Sequence, residues 1–229
     1  MKRLDKMSAI VTGGGRGIGK AIALGLASEG CDVVICSKNM KELEKTAREI
    51  EKLGARCLPV HVDVTKKENI INAVSQTMRT FKRIDLLVNN ARLDLIKPIE
   101  NMTQKEWTRV LDTNLGGMFL FTQAVVSHML NQDSGIIINI ASETKTFPGM
   151  TAFCATKFGA IGFTESLAKE LEEDDIKVFA ICPRGLDADV YHSTGLRRAP
   201  AYSSKAIAEK VLYLVINSKK IKTGSSIDV

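Results

Sequence analysis

Three glycines carry the first chemical signal. Gly13, Gly17 and Gly19 stand at the spacing G-x-x-x-G-x-G, within Thr12-Gly-Gly-Gly-Arg-Gly-Ile-Gly19. A glycine turn that opens into a helix aims free N–H groups and the positive end of the helix dipole at an anion. Glycine also accepts positive φ and lets a pyrophosphate come close to the backbone. Tight turns need glycine too, so the pattern alone is weak and its position decides the reading. Ala9, Ile10 and Val11 form a short apolar run suited to a strand buried on both faces. Ile22 and Leu26, with the alanines between them, mark a helix with one apolar stripe. Strand, glycine turn and helix at the start of an α/β chain point to dinucleotide binding.

The elements that must position this turn repeat along the whole chain. Apolar runs at 33–36, 56–62, 84–91, 135–141 and 176–182 read as strands, and 225–229 as a seventh. Helical patterns fall at 40–53, 67–81, 104–130, 152–172 and 203–216. Regular alternation of this kind predicts a parallel α/β sheet, doubly wound, with helices on both faces. No repeat, low-complexity run or linker interrupts it, and 229 residues suffice for one sizeable core, so residues 1–229 are expected to form a single domain.

Composition narrows the function. The chain is 45% hydrophobic and 25% charged, in the range of a soluble globular protein. Its net charge of +6 comes from dispersed lysines, without a basic stripe interleaved with aromatics, which excludes a nucleic-acid-binding class. Met1-Lys-Arg-Leu-Asp-Lys6 runs straight into a strand and leaves no room for a signal peptide, and no apolar run approaches membrane-spanning length. Cys31, Cys36, Cys57, Cys154 and Cys182 are scattered and odd in number, the pattern of free thiols in a cytoplasmic protein. His61, His128 and His192 lack ligand spacing, so no metal site is expected.

Several ordered motifs at these separations together make the chain resemble the short-chain dehydrogenase/reductase family along nearly its whole length. They are Thr12 to Gly19, Asp63-Val64, Asn89-Asn-Ala91, Asn114, Ser142 with Lys157, and Cys182-Pro183. The nearest flavour is the 3-ketoacyl-reductase-like branch. The resemblance implies a Rossmann-type fold, a nicotinamide cofactor, and hydride transfer to or from a small carbonyl or alcohol substrate. It further implies that Gly13, Gly17, Ile18, Gly19 and Pro183 border the cofactor, that Asp63 and Val64 hold its adenine ring, and that Asn90 lies beside the adenine-side ribose. As a bare residue, Asp63 could equally cap the next helix. The family pairs helices matching 104–130 and 152–172 across a two-fold axis, which implies a homodimer or homotetramer. Leu115, Met118, Phe119, Thr122 and Val126 form an apolar face compatible with that, although burial against the sheet would explain many of them.

Two features separate this chain from the common pattern. The first concerns the cofactor. In dinucleotide folds an acidic residue at the end of the second strand grips a ribose 2′-hydroxyl. Here the strand ends Ile35-Cys-Ser-Lys-Asn39 without a carboxylate, and Arg16 sits in the glycine turn. Arg16, Ser37 and Lys38 would meet a 2′-phosphate with two cations and a hydroxyl, so NADP(H) is the expected cofactor. The second concerns the acid. The family protonates the substrate oxygen with the tyrosine of Y-x-x-x-K, helped by a serine, a lysine that also binds the nicotinamide ribose, and an asparagine in a proton relay. Asn114, Ser142 and Lys157 are present, but Phe153 stands at the tyrosine position in Phe153-Cys-Ala-Thr-Lys157. A phenyl ring has no proton to give, and loss of a general acid commonly removes ~10²–10⁴ in rate.

Further departures cluster with it. Arg92 follows Asn-Asn-Ala where the family has glycine, Arg184 follows Pro183 where glycine is usual, and Ala188 replaces a threonine that meets the nicotinamide amide. All are expected to border the nicotinamide and none the adenine half. Tyr191 and Tyr202, in the segment after the sixth strand, could reach in, though a surface or packing role suits each better. Phe147, Met150 and Phe153 are candidates for an apolar pocket wall or ordinary core, and Arg197 and Arg198 fall in a short substrate-side segment. Two functions are expected from this: an NADP(H)-dependent oxidoreductase with weak or non-standard proton transfer, or a catalytically impaired NADP(H)-binding protein acting as a sensor or partner subunit.

Overall fold

In the computed structural model the described residues are 2–143, 146, 148–184 and 203–229. Seven strands form one parallel sheet in the order β3-β2-β1-β4-β5-β6-β7. They are β1 Ser8–Thr12, β2 Asp32–Ser37, β3 Cys57–His61, β4 Leu86–Asn89, β5 Gly135–Ile140, β6 Ile176–Cys182 and β7 Ser226–Asp228. The helices are α1 Gly17–Ser28, α2 Met40–Glu51, α3 Lys67–Phe81, α4 Gln104–Leu111, α5 Gly117–Asn131, α6 Thr151–Glu170 and α7 Ser204–Asn217.

The strands read as continuous apolar runs because both sheet faces are covered. Along β1, Ala9 and Val11 enter one core with Leu43 and Ile50 of α2 and Ile207 and Val211 of α7. Ile10, between them, enters the other core with Ile70 and Val74 of α3 and Phe121 and Val125 of α5. That is the period-2 alternation of a strand feeding two helical layers. Local signals set the helix starts. Asn39 caps α2 by accepting from Glu42 N (3.3 Å), Thr103 and Glu106 close a capping box on α4, and Ser203 caps α7 through Ala206 N (3.1 Å).

Sequence order reverses between β1 and β4, so the crevice at the carboxyl ends of these strands lies at a topological switch point. One expected element is different. The pattern at 104–130 reads as one helix, but a π-helical turn, Asp112–Gly116, separates α4 from α5. Periodicity does not register this, because the spacing of apolar residues does not encode whether a turn closes its hydrogen bonds four or five residues back. Such turns recur at functional sites, and this one carries Asn114.

Candidate active site

The glycine turn is held from two sides. Gly13 (φ +66°) and Gly17 (φ +53°) adopt backbone conformations disfavoured for other residues. A Cβ on Gly19 would lie 2.2 Å from the Gly13 carbonyl oxygen, so the turn closes only around a bare hydrogen. From just beyond β4, Asn90 Nδ2 donates to the Thr12 and Gly13 carbonyls at 2.9 and 3.4 Å. Thr12 Oγ1 in turn accepts from the backbone N–H groups of Asn90 and Ala91, both at 2.9 Å. From α2, Thr46 donates to the Gly15 carbonyl at 3.0 Å. The turn delivers α1 with no side-chain cap and no acidic residue in its first turn, leaving its N–H groups to an anion.

A cavity of about 320 Å³ runs from this turn along the ends of β2 and β3. Its walls include Gly13, Arg16, Ser37, Lys38, Asp63 and Val64, which brings together the residues expected to hold the adenosine half. Gly17, Ile18, Gly19 and Asn90 line an adjoining niche of about 100 Å³ with Arg92 and Asp94. The cavity carries charges of both signs: Lys38 Nζ lies 3.7 Å from Asp63 and Arg16 Nε 4.0 Å from Glu42. Lys38 is 63% and Arg16 70% exposed, so both pairings are loose and wet. Burial works against ionisation of Asp63, but hydrogen bonds from Thr65 and the charges of Lys38 and Lys66 prevail and hold its pKa below the usual range. Asp63 does not cap α3, whose N-cap residue is Lys66; it braces the turn leading there. Arg109, from α4, also lines the cavity. Nothing in its sequence context marked it, because its place beside Val62, Asp63 and Val64 depends on how α4 packs in the folded chain.

The other end of the crevice is built by β5, α6 and the π-turn. Lys157 is 7% exposed and donates to the Ile140 carbonyl at the end of β5 (2.6 Å). Phe153, one turn earlier, presents its ring to the same ammonium group at 5.5 Å. Burial, and secondarily the charge of Arg92, pull the Lys157 pKa down to about 7. Ser142, buried, follows Ile140 by two residues, and the flanking Ala141 and Glu143 N–H groups tie its segment to Ile181 and to the carbonyl of buried Pro183. Asn114 accepts from Leu93 N (2.7 Å) and donates to the Leu93 carbonyl and Thr156 Oγ1, both at 3.1 Å. Both amide hydrogens are therefore engaged in bracing the segment after β4 against α6. A small cavity lined by Thr12, Asn89, Asn114 and Lys157 lies beneath.

The departures from the family pattern do not all gather where they were expected. Phe153 faces Lys157, but it also packs with Met150, Cys154 and Ile96 in a small cluster of its own. Arg92 faces both ways: its charge reaches Lys157, and it also borders the glycine turn and the adenosine-side cavity. Arg184 is 62% exposed and turns to the sheet edge, where it pairs with Asp228 (3.4 Å) and its N–H donates to the Val229 carbonyl. Ala188, Tyr191, Tyr202, Arg197, Arg198 and Phe147 lie outside the described residues. The helical face also divides: Met118 and Thr122 are buried, with Thr122 accepting from Asn89, whereas Phe119 is 48% exposed. The sequence pattern missed Thr46 and Thr156, whose hydroxyls hold the site's segments; a threonine carries no spacing signal.

Comparison with known proteins agrees with this geometry. The short chain dehydrogenase family model matches residues 7–198. The chain belongs to that family. It is 31% identical to the 3-oxoacyl-[acyl-carrier-protein] reductase FabG of Thermotoga maritima over 99% of this chain and 97% of the relative. It is 38% identical to the 3-oxoacyl-[acyl-carrier-protein] reductase of a Synechocystis species over 83% of this chain and 78% of that protein. The crystal structure of a levodione reductase superposes with a TM-score of 0.91 at 25% identity, covering 99% of this chain and 96% of that one. The chain is thus an oxidoreductase of the ketoacyl-reductase-like branch, with the Rossmann-type, doubly wound sheet of its class. No helix among the described residues is long and apolar enough to cross a membrane.

Proposed function

We propose that the protein is an NADP(H)-dependent short-chain oxidoreductase that acts on a small carbonyl or alcohol substrate with proton transfer that bypasses a tyrosine. One observation carries the cofactor reading: Arg16, Ser37 and Lys38 converge on the cavity that begins at the uncapped N-terminus of α1. A 2′-phosphate there would draw Lys38 from Asp63 and Arg16 from Glu42, exchanging two loose, solvated pairs for charge-assisted hydrogen bonds. The residues fit a dinucleotide: Gly13, Gly17, Ile18 and Gly19 would cradle its phosphates, Asp63 and Val64 its adenine, Asn90 a ribose, and Lys157 and Pro183 the nicotinamide end. When bound, the nicotinamide gives or takes a hydride at the carbonyl carbon. The protein's part in reduction is to polarise the carbonyl oxygen and supply a proton to it. Phe153 supplies none. Ser142 would donate a hydrogen bond to the oxygen, water would be the proton source, and buried Lys157 would add a partial positive charge nearby. That chemistry is slow, since a positioned general acid contributes ~10²–10⁴ in rate.

The relatives named for 3-oxoacyl-[acyl-carrier-protein] reduction make 3-oxoacyl thioesters the first substrates to try. Phe153 also favours a second reading, a catalytically impaired NADP(H)-binding protein that senses the cofactor or partners an active relative. We place the protein in the cytoplasm as one domain spanning 1–229. It would form a homodimer or homotetramer through the α4–α5 and α6 faces, where Phe119 and Phe158 are exposed.

One experiment decides between the readings. NADPH and NADH binding are followed by fluorescence, then oxidation is measured with 3-oxoacyl thioesters, ketones and quinones, for the wild type and for Phe153→Tyr. Slow turnover in the wild type supports the oxidoreductase. Binding without turnover, with turnover restored by Phe153→Tyr, sinks it in favour of the sensor. Failure to bind either cofactor sinks both.

A further inference from the structure

Arg92 follows Asn89-Asn90-Ala91 at the end of β4 and stands where the two cavities of the crevice meet. With Gly13 and Arg16 it lines the larger one, toward Ser37, Lys38 and Asp63. With Gly17, Ile18, Gly19 and Asp94 it lines the niche at the N-terminus of α1. Its Nε donates to both carboxylate oxygens of Asp94, at 3.1 and 3.0 Å. The two side chains are only 17% and 23% exposed, so this pair is far less solvated than those of Arg16 and Lys38. A guanidinium beside the uncapped N–H groups of a helix is a cation facing a positive dipole end. Both need an anion, and the carboxylate of Asp94 is fixed to the same short segment as Arg92. A second observation points to a ligand in the niche. Asn90 lines it, is 6% exposed, and its Oδ1 is buried with no hydrogen-bond partner. A buried acceptor without a donor costs free energy until a donor such as a sugar hydroxyl arrives.

We propose that Arg92 is a diphosphate-binding residue held ready by Asp94, whose guanidinium exchanges that carboxylate for the pyrophosphate of a dinucleotide seated at the N-terminus of α1. The inference rests on the nucleotide-binding reading above and adds a residue to it. Arginine suits the exchange, because its planar fork pairs with phosphate oxygens in two parallel hydrogen bonds as readily as with a carboxylate. Asp94 then acts as an internal competitor. It keeps a partly buried cation paired before the cofactor arrives and weakens cofactor binding by the strength of the pair that must open.

The test compares a ligand with the pyrophosphate and one without it. Affinities for adenosine 2′-monophosphate and for NADPH or NADH, whichever the wild type binds more tightly, are measured by calorimetry for wild type, Arg92→Met, Arg92→Lys and Asp94→Asn, with thermal unfolding confirming that each folds. Arg92→Met is expected to weaken the dinucleotide roughly tenfold or more and to leave adenosine 2′-monophosphate within about twofold. Arg92→Lys should recover part of the loss, and Asp94→Asn should tighten the dinucleotide while leaving the monophosphate unchanged. Tighter dinucleotide binding by Arg92→Met would overturn the proposal, showing Arg92 to obstruct the crevice. Equal weakening of both ligands, or no change in either, would overturn it while leaving the nucleotide reading intact. If the wild type binds neither dinucleotide, the nucleotide reading falls and this inference falls with it.

Discussion

The two ends of one crevice are held together by different means. At the glycine turn, the geometry belongs to the backbone: positive φ at Gly13 and Gly17, a close approach at Gly19, and carbonyls fastened by Asn90 and Thr46. At the α6 end, the geometry belongs to side chains: Lys157 reaching Ile140, Phe153 stacked over it, Asn114 bracing Leu93 and Thr156. Both lie on the same parallel sheet. A cradle made of backbone survives most changes of side chain, whereas a reaction centre can lose its acid by exchanging one aromatic residue for another of nearly the same volume. Fold and binding can therefore persist where the chemistry has changed.

The comparison breaks most visibly at position 153. Phe153→Tyr is expected to raise reductase turnover by ~10²–10⁴, the usual contribution of a positioned general acid, measured as NADPH oxidation with 3-oxoacyl thioesters. An unchanged rate would show that the acid is not what limits this end.

Lys157 tests the same region through stability. Its pKa in the folded chain, about 7, lies below that of an unfolded lysine, so between the two values the unfolded chain binds more protons. Stability should rise as pH climbs from about 7 to about 10 and level off below about 7. Lys157→Met loses the bond to Ile140 but also removes the penalty of burying the charge, so its stability relative to wild type should fall by on the order of a few kcal/mol between pH 7 and 10. Urea denaturation across that range gives the difference; parallel curves would contradict the assignment.

At the other end, Gly19→Ala forces a methyl against the Gly13 carbonyl, a contact of 2.2 Å before relaxation. It should cost roughly 1–3 kcal/mol of stability, as overpacking does, and abolish dinucleotide binding, read from thermal unfolding with and without NADPH. Lys38→Ala is the mildest change. Its side chain is largely exposed, so stability should hold while the preference for NADPH over NADH drops roughly tenfold, about 1.4 kcal/mol. Together these would sharpen the contrast: backbone changes disturb binding and fold together, side-chain changes separate them.

Most of the fold was legible in the sequence because its signals are local. Apolar runs such as Gly135–Ile140 and glycine or polar punctuation between them place each strand and helix to within a few residues. The π-turn at Asp112–Gly116 was not legible, since it is a hydrogen-bonding choice that residue spacing does not encode. The site was legible as a set of residues and only partly as an arrangement. Arg184, three positions from Ile181, was expected beside the nicotinamide and instead pairs at the sheet edge, because the direction of a side chain after a strand depends on which neighbour is there to receive it.

What the sequence determined by itself is the repeating unit: strand, turn, helix, the glycines that let one turn tighten, and the absence of a hydroxyl at Phe153. These follow from residue type and spacing within a few turns of chain. Tertiary structure alone decided the rest. It set β4 beside β1, so that Asn90 could fasten Thr12 and Gly13 across some 78 residues. It buried Lys157 under Phe153, and it put Arg92 with Asp94 at the mouth of α1. Such contacts depend on the strand order β3-β2-β1-β4, a global packing outcome that no local window of sequence contains.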